Sequence, residues 1–369
     1  MSKKLSNILR VTPSFASYTN PGSGTNSYFH SKYSKYKSYV LTEDRGLEYL
    51  KVGDNVKIKK VKTFNIGLGK VGDRKFLVNL IYKVLSTFIF TIKSIGFLHS
   101  VKPLIVHLYS PIYLLTGLYC KVFFGSKVVL SIHGTDGLRI QKFKFLRLIL
   151  RLMDLNLSLS KKFIENINRT DIEYLGNGYD NSLFYLFNKV NNGRDKYIIT
   201  VGNLRWQKDH KSMIQAFNIF HKSHSDYKLI IIGEGELRNV LEKQIKELNL
   251  EESVYLKGKR DQKYIAEFMN RSKLFFLSST TEGSPKVIYE AMACGLPILS
   301  TNVGDVKENT TNETSVIVDV DVNAMAKGLC DIIDNKVINR IFISEDVKKK
   351  SLKFVSANLD EIYEGVIRQ

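Results

Sequence analysis

The stretch TEGSPKVIYEAMACGLPILST, residues 281–301, contains a helix that is framed by turn residues and followed by a short apolar strand. Ser284 favours the N-cap, and Pro285 favours the first helical position, because a missing N–H costs nothing there. Gly295 favours the end of the helix, and Pro297 prevents its continuation. The stretch therefore predicts a helix that starts at Pro285 and leads into a buried strand.

Two glutamates flank the start of this helix, with seven residues between them. Glu282 lies in the loop before the helix, and Glu290 lies about 7.5 Å along the helix axis. Gly283 and Ser284 precede the helix N-terminus, where unpaired N–H groups favour an anion. Carboxylates do not bind the anion itself, but they accept hydrogen bonds from hydroxyl groups attached to it. The stretch thus predicts a diphosphate ligand with a sugar at each end.

Composition narrows the class of protein. At 369 residues, with 44% hydrophobic residues, the chain predicts a globular protein of two domains. Its three cysteines, Cys120, Cys294 and Cys330, lack the spacing of a zinc site, which favours a reducing compartment. The N-terminus lacks the apolar core of a signal peptide, so the chain is expected in the cytoplasm.

The formal net charge of +19 is unevenly distributed. No acidic residue stands between Asp73 and Asp136, and IQKFKFLRLILRLM (140–153) has basic and apolar stripes at helical spacing. A basic amphipathic helix is typical of binding to an anionic membrane surface, although a solvated helix of a domain has the same pattern. Together with the acid-free flank, this pattern favours a membrane surface. Nucleic acid is not expected, because no nucleic-acid motif accompanies the charge.

Strand-like and helix-like runs alternate in two blocks of similar size. The polar segment 188–196 separates the blocks and favours a linker. We therefore predict two doubly wound parallel α/β domains, at 1–188 and 189–354, with a last helix over 355–369 that packs back on the first. Such sheets bind ligands at the carboxyl ends of their strands, so two that face each other make a cleft.

Three further patterns favour structural roles. The uncharged run 103–120 approaches the length of a membrane span, but Pro111 divides it, so a strand followed by a helix is predicted. GLGKVG (67–72) has the spacing of a dinucleotide-binding loop but lacks the later acidic residue, so a plain loop is predicted. DVD (319–321) stands at a strand-to-helix turn, where aspartate is common, and no metal site is predicted.

Two strand ends carry candidate functional residues. In VGNLRWQKDH (201–210), Lys208 and Arg205 could neutralise a diphosphate leaving group, although a solvated loop has the same composition. In SIHGTD (131–136), His133 ends a buried strand, where a lone histidine is commonly structural. From each of these segments alone, the solvated loop and the structural histidine are favoured.

Taken together, the segments resemble glycosyltransferase family 4. That family has two glutamates with seven residues between them, followed by EAMACG-P, as in TEGSPKVIYEAMACGLP. Eight further segments stand in the family's order: NPGSGTN (20–26), VHLYSP, SIHGTD, NLSLSKKF, YLGNGYD (174–180), VGNLRWQKDH, LIIIGEGELR and VYLKGKR. The resemblance implies a GT-B fold, in which two Rossmann-like domains face a central cleft.

The resemblance also assigns roles to the glutamates and the cations. Glu282 would hold hydroxyls of the donor sugar, and Glu290 would hold the ribose hydroxyls of a nucleotide. Lys208 and Arg205 would bind the leaving diphosphate. The family often has arginine directly after the glycine of its VG strand end, where this chain has Asn203, so Arg205 is expected to take that role.

The remaining implied contacts involve backbone and loop residues. Contacts to the donor are implied for Gly22, Gly24, Lys259, Arg260, Gly283 and Ser284. His133 would line the acceptor side of the reaction centre. No metal or other cofactor is expected, because fixed cations would do the work that Mg²⁺ does elsewhere.

The implied activity is transfer of a hexose from a nucleotide diphosphate sugar with retention of configuration. A UDP-sugar is favoured as donor, with GDP-mannose as the alternative. The acceptor would be a saccharide, or a polyprenyl-diphosphate-linked saccharide at the inner face of the cell membrane, in the synthesis of a cell-surface polysaccharide such as lipopolysaccharide or capsule. Two alternatives remain: an epimerase or phosphorylase of the same architecture, and a non-catalytic protein that binds sugar nucleotides.

Overall fold

The computed structural model describes residues 7–17, 24–63, 76–143, 146–167, 169, 171–187, 195–335 and 337–368. The chain forms two compact units, of which one comprises Met1–Gly176 with Leu352–Gln369 and the other Asn177–Ser351. The division falls before the predicted boundary at 188/189, because Tyr179 and Phe184 pack in the hydrophobic core of the second unit. GLGKVG, Gly22 and most of the polar segment 188–196 lie outside the described residues.

The first unit is built on a parallel sheet. Its strands are β1 Asn7–Thr12, β2 Lys37–Glu43, β3 Val56–Val61, β4 Ile105–Leu108, β5 Lys127–Ile132, β6 Leu155–Ser158 and β7 Ile172–Tyr174. The helices are α1 Thr25–Tyr33, α2 Phe76–Val101, α3 Leu114–Phe124, α4 Gly134–Lys142, α5 Arg147–Arg151, α6 Lys161–Ile167 and, at the end of the chain, α14 Leu352–Arg368. The strand order is β3-β2-β1-β4-β5-β6-β7. The central strands are apolar runs because both faces of a parallel sheet are covered.

The second unit repeats this architecture. Its strands are β8 Tyr197–Val201, β9 Lys228–Ile232, β10 Val254–Leu256, β11 Leu274–Leu277, β12 Ile298–Thr301 and β13 Ser315–Val318. The helices are α7 His210–His221, α8 Arg238–Glu247, α9 Gln262–Arg271, α10 Lys286–Ala293, α11 Val306–Asn309, α12 Val322–Cys330 and α13 Arg340–Asp346. The strands are parallel, in the order β10-β9-β8-β11-β12-β13. The prediction of two doubly wound parallel sheets is confirmed.

The last helix belongs to the first unit. Asp360 on α14 accepts hydrogen bonds from Ser34 Oγ and from the backbone N–H of Lys35, each at 2.8 Å. Tyr363 Oη lies 2.5 Å from Nδ1 of His107 on β4. Burial lowers the pKa of His107, so the ring is neutral and one of its nitrogens accepts a hydrogen bond. These buried bonds hold the end of the chain against the first sheet.

Two local predictions need correction. Helix α10 begins at Lys286, with Pro285 at the N-cap, and Ser284 Oγ lies 3.3 Å from Tyr289 Oη instead of capping the helix. The stretch 140–153 is not one helix, because Phe143 is extended and ends α4. The run 103–120 does form a strand and a helix, as β4 and α3.

Candidate functional site

The candidate site lies at the carboxyl edge of the second sheet, where the strand order reverses. β8 pairs with β9 on one side and with β11 on the other. The connections that follow β8 and β11 therefore lead to opposite halves of the sheet, and ligands of open parallel sheets bind in the crevice that such a reversal creates. Lys208 follows β8 and Glu282 follows β11.

Lys208 and Glu282 form an ion pair at this reversal. Lys208 Nζ lies 2.5 Å from Glu282 Oε1, which also accepts a hydrogen bond from Ser279 Oγ at 2.8 Å. Ser278 Oγ donates to the backbone carbonyl of Lys208 at 2.8 Å and so ties the two loops together. The two side chains are 25% and 14% exposed, so a ligand can reach a pair that is largely shielded from bulk water.

The loop after β8 carries further polar groups. Arg205 is exposed, and its guanidinium forms no ion pair with any described carboxylate. The structure therefore does not join Arg205 to Glu282 as it joins Lys208. Burial and the nearby Lys208 cation lower the pKa of His210 to about 4, so this histidine is neutral near pH 7.

Glu290 stands on α10, the helix that follows Glu282. Its side chain is half-buried. Burial raises the pKa of Glu290 to about 7, and the cation of Lys286 one turn earlier partly offsets this rise. Burial also lowers the pKa of Lys286 to about 8. A carboxyl group that titrates near neutral pH at the edge of a sheet is a candidate functional group.

The backbone between the two glutamates is held on both sides. The carbonyl of Gly283 accepts a hydrogen bond from the N–H of Asp305 at 3.0 Å, and the carbonyl of Ser284 accepts one from Asn177 Nδ2 at 3.0 Å. Within the described ranges, the N–H groups of Gly283 and Ser284 have no protein acceptor. Sequence reasoning missed the role of Asn177, because its contact with Ser284, 107 residues later, depends on the fold.

Gly304→Ala is expected to lower the free energy of unfolding of the second unit by about 1–3 kcal/mol. Gly304 has a φ of +52°, and an added Cβ would lie 2.2 Å from the carbonyl oxygen of Gly283. Urea unfolding measures the loss. The matched control is Gly258→Ala, where φ is +71° but the added Cβ meets only the flexible Glu234 carboxylate, at 3.0 Å. Equal losses in the two variants would contradict the close approach to Gly283.

The other residues of this unit that were predicted to contact the donor substrate follow β10, which lies two strands from β8 in the sheet. Lys259 and Arg260 are exposed in the loop after β10. Arg260 Nε donates to the carbonyl of Lys257 at 2.9 Å, and its guanidinium lies 5.1 Å from the ring centroid of Tyr264. They share the carboxyl edge of the sheet with Lys208, but no described contact joins them to it.

The predicted residues of the first unit lie at the carboxyl edge of its own sheet. Gly24 is the N-cap of α1, and His133 is the N-cap of α4. The ring of His133 stacks on Tyr109, with centroids 6.0 Å apart, and Tyr109 Oη lies 2.7 Å from His30 Nδ1. Sequence reasoning missed His30 and Tyr109, whose association depends on the fold.

Potential metal ligands occur elsewhere in the second unit. Among the described residues, His224, Cys330 and Asp334 offer ligand atoms within 4.8 Å of one another. They do not stand on the loops that carry Lys208 and Glu282. Asp321 of the DVD motif accepts a hydrogen bond from the N–H of Ala324 at 2.8 Å, so it caps α12.

Comparison with known proteins assigns the second unit to a family. Residues 184–349 match the sequence model of glycosyl transferases group 1. This segment includes both glutamates, Lys208 and all strands from β8 to β13. The chain therefore carries a domain of that family, and the two units have the α/β architecture of the GT-B fold.

Similarity to individual proteins supports this assignment. A segment of 152 residues is 33% identical to N-acetylgalactosamine-N,N'-diacetylbacillosaminyl-diphospho-undecaprenol 4-alpha-N-acetylgalactosaminyltransferase of Campylobacter jejuni and covers 40% of each chain. The chain spans about a quarter to a half of the length of the curated relatives it matches.

Two solved structures share the fold over nearly the whole chain. Sucrose-phosphate synthase from Thermosynechococcus elongatus superimposes with a TM-score of 0.76 at 15% identity, over 98% of this chain and 99% of that one. Anabaena HepE, in complex with UDP, superimposes with a TM-score of 0.72 at 16% identity, over 98% and 100%. At these identities the likeness concerns the fold alone.

Proposed function

We propose that this protein is a retaining glycosyltransferase that moves a hexose from a nucleotide diphosphate sugar to a saccharide or lipid-linked saccharide. The observation that carries the proposal is the Lys208–Glu282 ion pair at the strand reversal, with Glu290 on the next helix. The group 1 domain and the UDP-bound structural relative support it. The donor is inferred to be a UDP-sugar, with GDP-mannose as the alternative.

The chemistry assigned to the residues follows from their charges. The Glu290 carboxylate accepts hydrogen bonds from the ribose hydroxyls, and Glu282 accepts them from the donor sugar. Lys208, which pairs with Glu282 at the strand reversal, is proposed to bind the diphosphate of the donor. The N–H groups of Gly283 and Ser284 add fixed donors for the same anion, and the exposed Arg205 is a second cation for it.

The transfer is proposed to occur on one face of the sugar. The bond between the anomeric carbon and the phosphate oxygen breaks, and its electron pair stays on the diphosphate. The acceptor hydroxyl bonds to the same face of that carbon and gives its proton to the departing phosphate oxygen. Lys208 stabilises the charge that develops on the diphosphate, which is where a fixed cation contributes most.

Affinity for UDP is expected to increase as the pH rises through about 7. The ionised Glu290 carboxylate accepts hydrogen bonds from two ribose hydroxyls, whereas the protonated carboxyl group has fewer acceptor sites. Because the pKa of the free group is about 7, binding should weaken as the pH falls below that value, by at most about tenfold per pH unit. Calorimetric titrations between pH 6 and pH 8.5 measure the slope. Glu290→Gln should remove the slope, and a slope that persists in this variant would assign it to another group.

The acceptor is inferred from charge and from one relative. The name of the Campylobacter relative specifies a diphospho-undecaprenol acceptor. An acid-free segment between Asp73 and Asp136 suits an anionic diphosphate lipid in this chain as well. The three free cysteines support a reducing compartment, so the proposed site of action is the inner face of the membrane. The proposed role is synthesis of a cell-surface polysaccharide.

Turnover assays test the proposed function. The full chain is incubated in EDTA with UDP-sugars and GDP-mannose, with and without a polyprenyl-diphosphate-linked saccharide, and released nucleotide and product anomers are measured. Acceptor-dependent release with a retained anomer supports the proposal. Sugar release that depends on phosphate would identify a phosphorylase. Conversion of the donor without an acceptor would identify an epimerase. Donor binding without turnover would identify a non-catalytic protein.

A further inference from the structure

Helix α2 buries several polar residues beside the core residues Phe90 and Leu98, and it exposes a row of apolar residues on its outer side. The polar residues that are buried are Lys83, Ser86, Thr87, Thr91 and Ser94. The apolar residues that are 47–69% exposed are Ile81, Val84, Leu85, Phe88 and Ile92. A surface helix of a water-soluble domain normally has the opposite arrangement. The outer side of α2 is therefore suited to an apolar environment.

The buried polar groups fix the helix in this orientation. Lys83 Nζ lies 2.7 Å from Glu43 Oε1, which also accepts a hydrogen bond from Tyr113 Oη at 2.8 Å. Thr91 Oγ1 lies 2.9 Å from Oγ1 of Thr116 on α3. Rotating α2 to bury its apolar side would break this buried ion pair and leave the Glu43 carboxylate with Arg45, at 3.3 Å, as its cation. The exposure of the apolar side is thus built into the fold of the first unit.

The apolar surface continues on α3, the helix beside α2. Leu115, Val122 and Phe123 are 39%, 77% and 61% exposed. We call these side chains, together with the five exposed apolar side chains of α2, the α2–α3 face. The five on α2 alone extend about 16 Å along the helix. Exposed apolar surface on this scale typically marks an interaction site.

Basic side chains border the α2–α3 face, and acidic residues are missing from both of its helices. On one side, Lys57, Lys59 and Lys62 are exposed on and after β3, and Lys93 Nζ donates to the carbonyl of Lys62 at 3.1 Å. On the other side, Lys121 Nζ donates to the carbonyl of Leu152 at 3.2 Å, at the end of α5, and also pairs with Asp154 at 3.0 Å. A second copy of the chain would bring like charges together, whereas an anionic surface complements them.

We propose that the α2–α3 face docks the first unit on an anionic lipid bilayer, with its apolar side chains at the acyl boundary and its lysines among the headgroups. Residues Ile81–Val101 have the length and composition of a membrane span, but 39% of that window is buried in the protein. Together with the internal Lys83–Glu43 pair, this burial favours lying on the membrane over crossing it. The proposal rests on the proposed function, which acts at the inner face of the membrane, and it adds the surface of the first unit that docks there; docking itself requires neither donor nor acceptor.

Vesicle flotation of the full chain tests the proposal. Vesicles of phosphatidylcholine alone are compared with vesicles that also contain phosphatidylglycerol. The double variant Phe88→Ser/Ile92→Ser removes apolar area from the face without changing charge. Its matched control is Ile219→Ser/Val240→Ser, because both side chains are 41% exposed on α7 and α8 of the second unit. UDP calorimetry on each variant reports whether the second unit is intact.

The expected result is flotation of the wild type with anionic vesicles and much less with neutral ones. The α2 double variant should lower the partition coefficient by about tenfold or more, which equals about 1.4 kcal/mol. The control should behave as the wild type, and UDP binding should be equal in all three proteins. Failure of the wild type to float while it binds UDP normally would count against membrane docking alone. Normal flotation without UDP binding would count against the proposed function alone.

Several outcomes would overturn the proposal. One is equal flotation of the wild type on neutral and anionic vesicles, and another is unchanged flotation of the α2 double variant. Resistance of the membrane-bound wild type to alkaline carbonate extraction would identify a spanning helix. A wild-type dimer that the α2 variant converts to monomers, without any effect on flotation, would show that a second copy covers the face.

Discussion

Lys208→Met is expected to lower kcat for sugar transfer by about 10²–10³ with a smaller change in KM. Methionine keeps much of the length of the lysine side chain but removes the cation that lies 2.5 Å from Glu282. The charge on the diphosphate is greatest as the donor bond breaks, so the loss falls mainly on the chemical step. Single-turnover kinetics with the donor identified by the turnover assay measure it.

Two further variants make this result specific to Lys208. Lys208→Arg keeps a cation in the same loop and should restore part of kcat, although its geometry differs. Lys211→Met removes an exposed cation from the adjacent α7 and should leave kcat unchanged. If Lys208→Met kept kcat within about twofold of the wild type, the leaving diphosphate would have to be stabilised by other groups, with Arg205 the first to test.

Glu282→Gln is expected to lower kcat/KM by about 10²-fold while leaving UDP affinity nearly unchanged. Glu282 accepts hydrogen bonds from both Lys208 Nζ and Ser279 Oγ through the same oxygen. Its second oxygen is therefore the one proposed to hold donor-sugar hydroxyls. UDP carries no sugar beyond the ribose, so only the complete donor should detect the change.

Calorimetry measures the affinity of Glu282→Gln for UDP and for the sugar nucleotide, and initial rates on the same preparation give kcat/KM. Glu313→Gln is a suitable control, because Glu313 is an exposed carboxylate in the loop before β13. Equal weakening of UDP and of the sugar nucleotide in Glu282→Gln would contradict the sugar contact. It would indicate that Glu282 acts only by holding Lys208.

The two-sheet fold could be predicted from sequence because its signals are local. Alternating apolar strands and helices define each sheet, and turn residues around Glu290 define α10 within one residue. The start at Lys286 was missed because Pro285 itself occupies the N-cap. The unit boundary was placed too late, because the packing of Tyr179 and Phe184 is a long-range property that polarity along the chain does not reveal.

The candidate site and the proposed membrane face were predictable to different degrees. Glu282 and Lys208 stand 74 residues apart, yet both follow strands, and the sheet order brings them together. The contact of Asn177 with Ser284 has no such local rule. The prediction of a membrane surface rested on the acid-free segment between Asp73 and Asp136 and on the stretch 140–153. The exposed apolar side chains of the α2–α3 face lie in the first of these, and only the fold reveals which side of a helix is covered.

The central claim is that the strand reversal of the second sheet binds a nucleotide through Glu290. The most direct measurement is calorimetric titration of the wild type and of Glu290→Ala with UDP, GDP and ADP in EDTA. We expect one nucleotide to bind the wild type and to bind the variant at least about tenfold more weakly, which equals about 1.4 kcal/mol. If no nucleotide binds, or if the variant binds as tightly as the wild type, the assignment of Glu290 to the ribose is wrong.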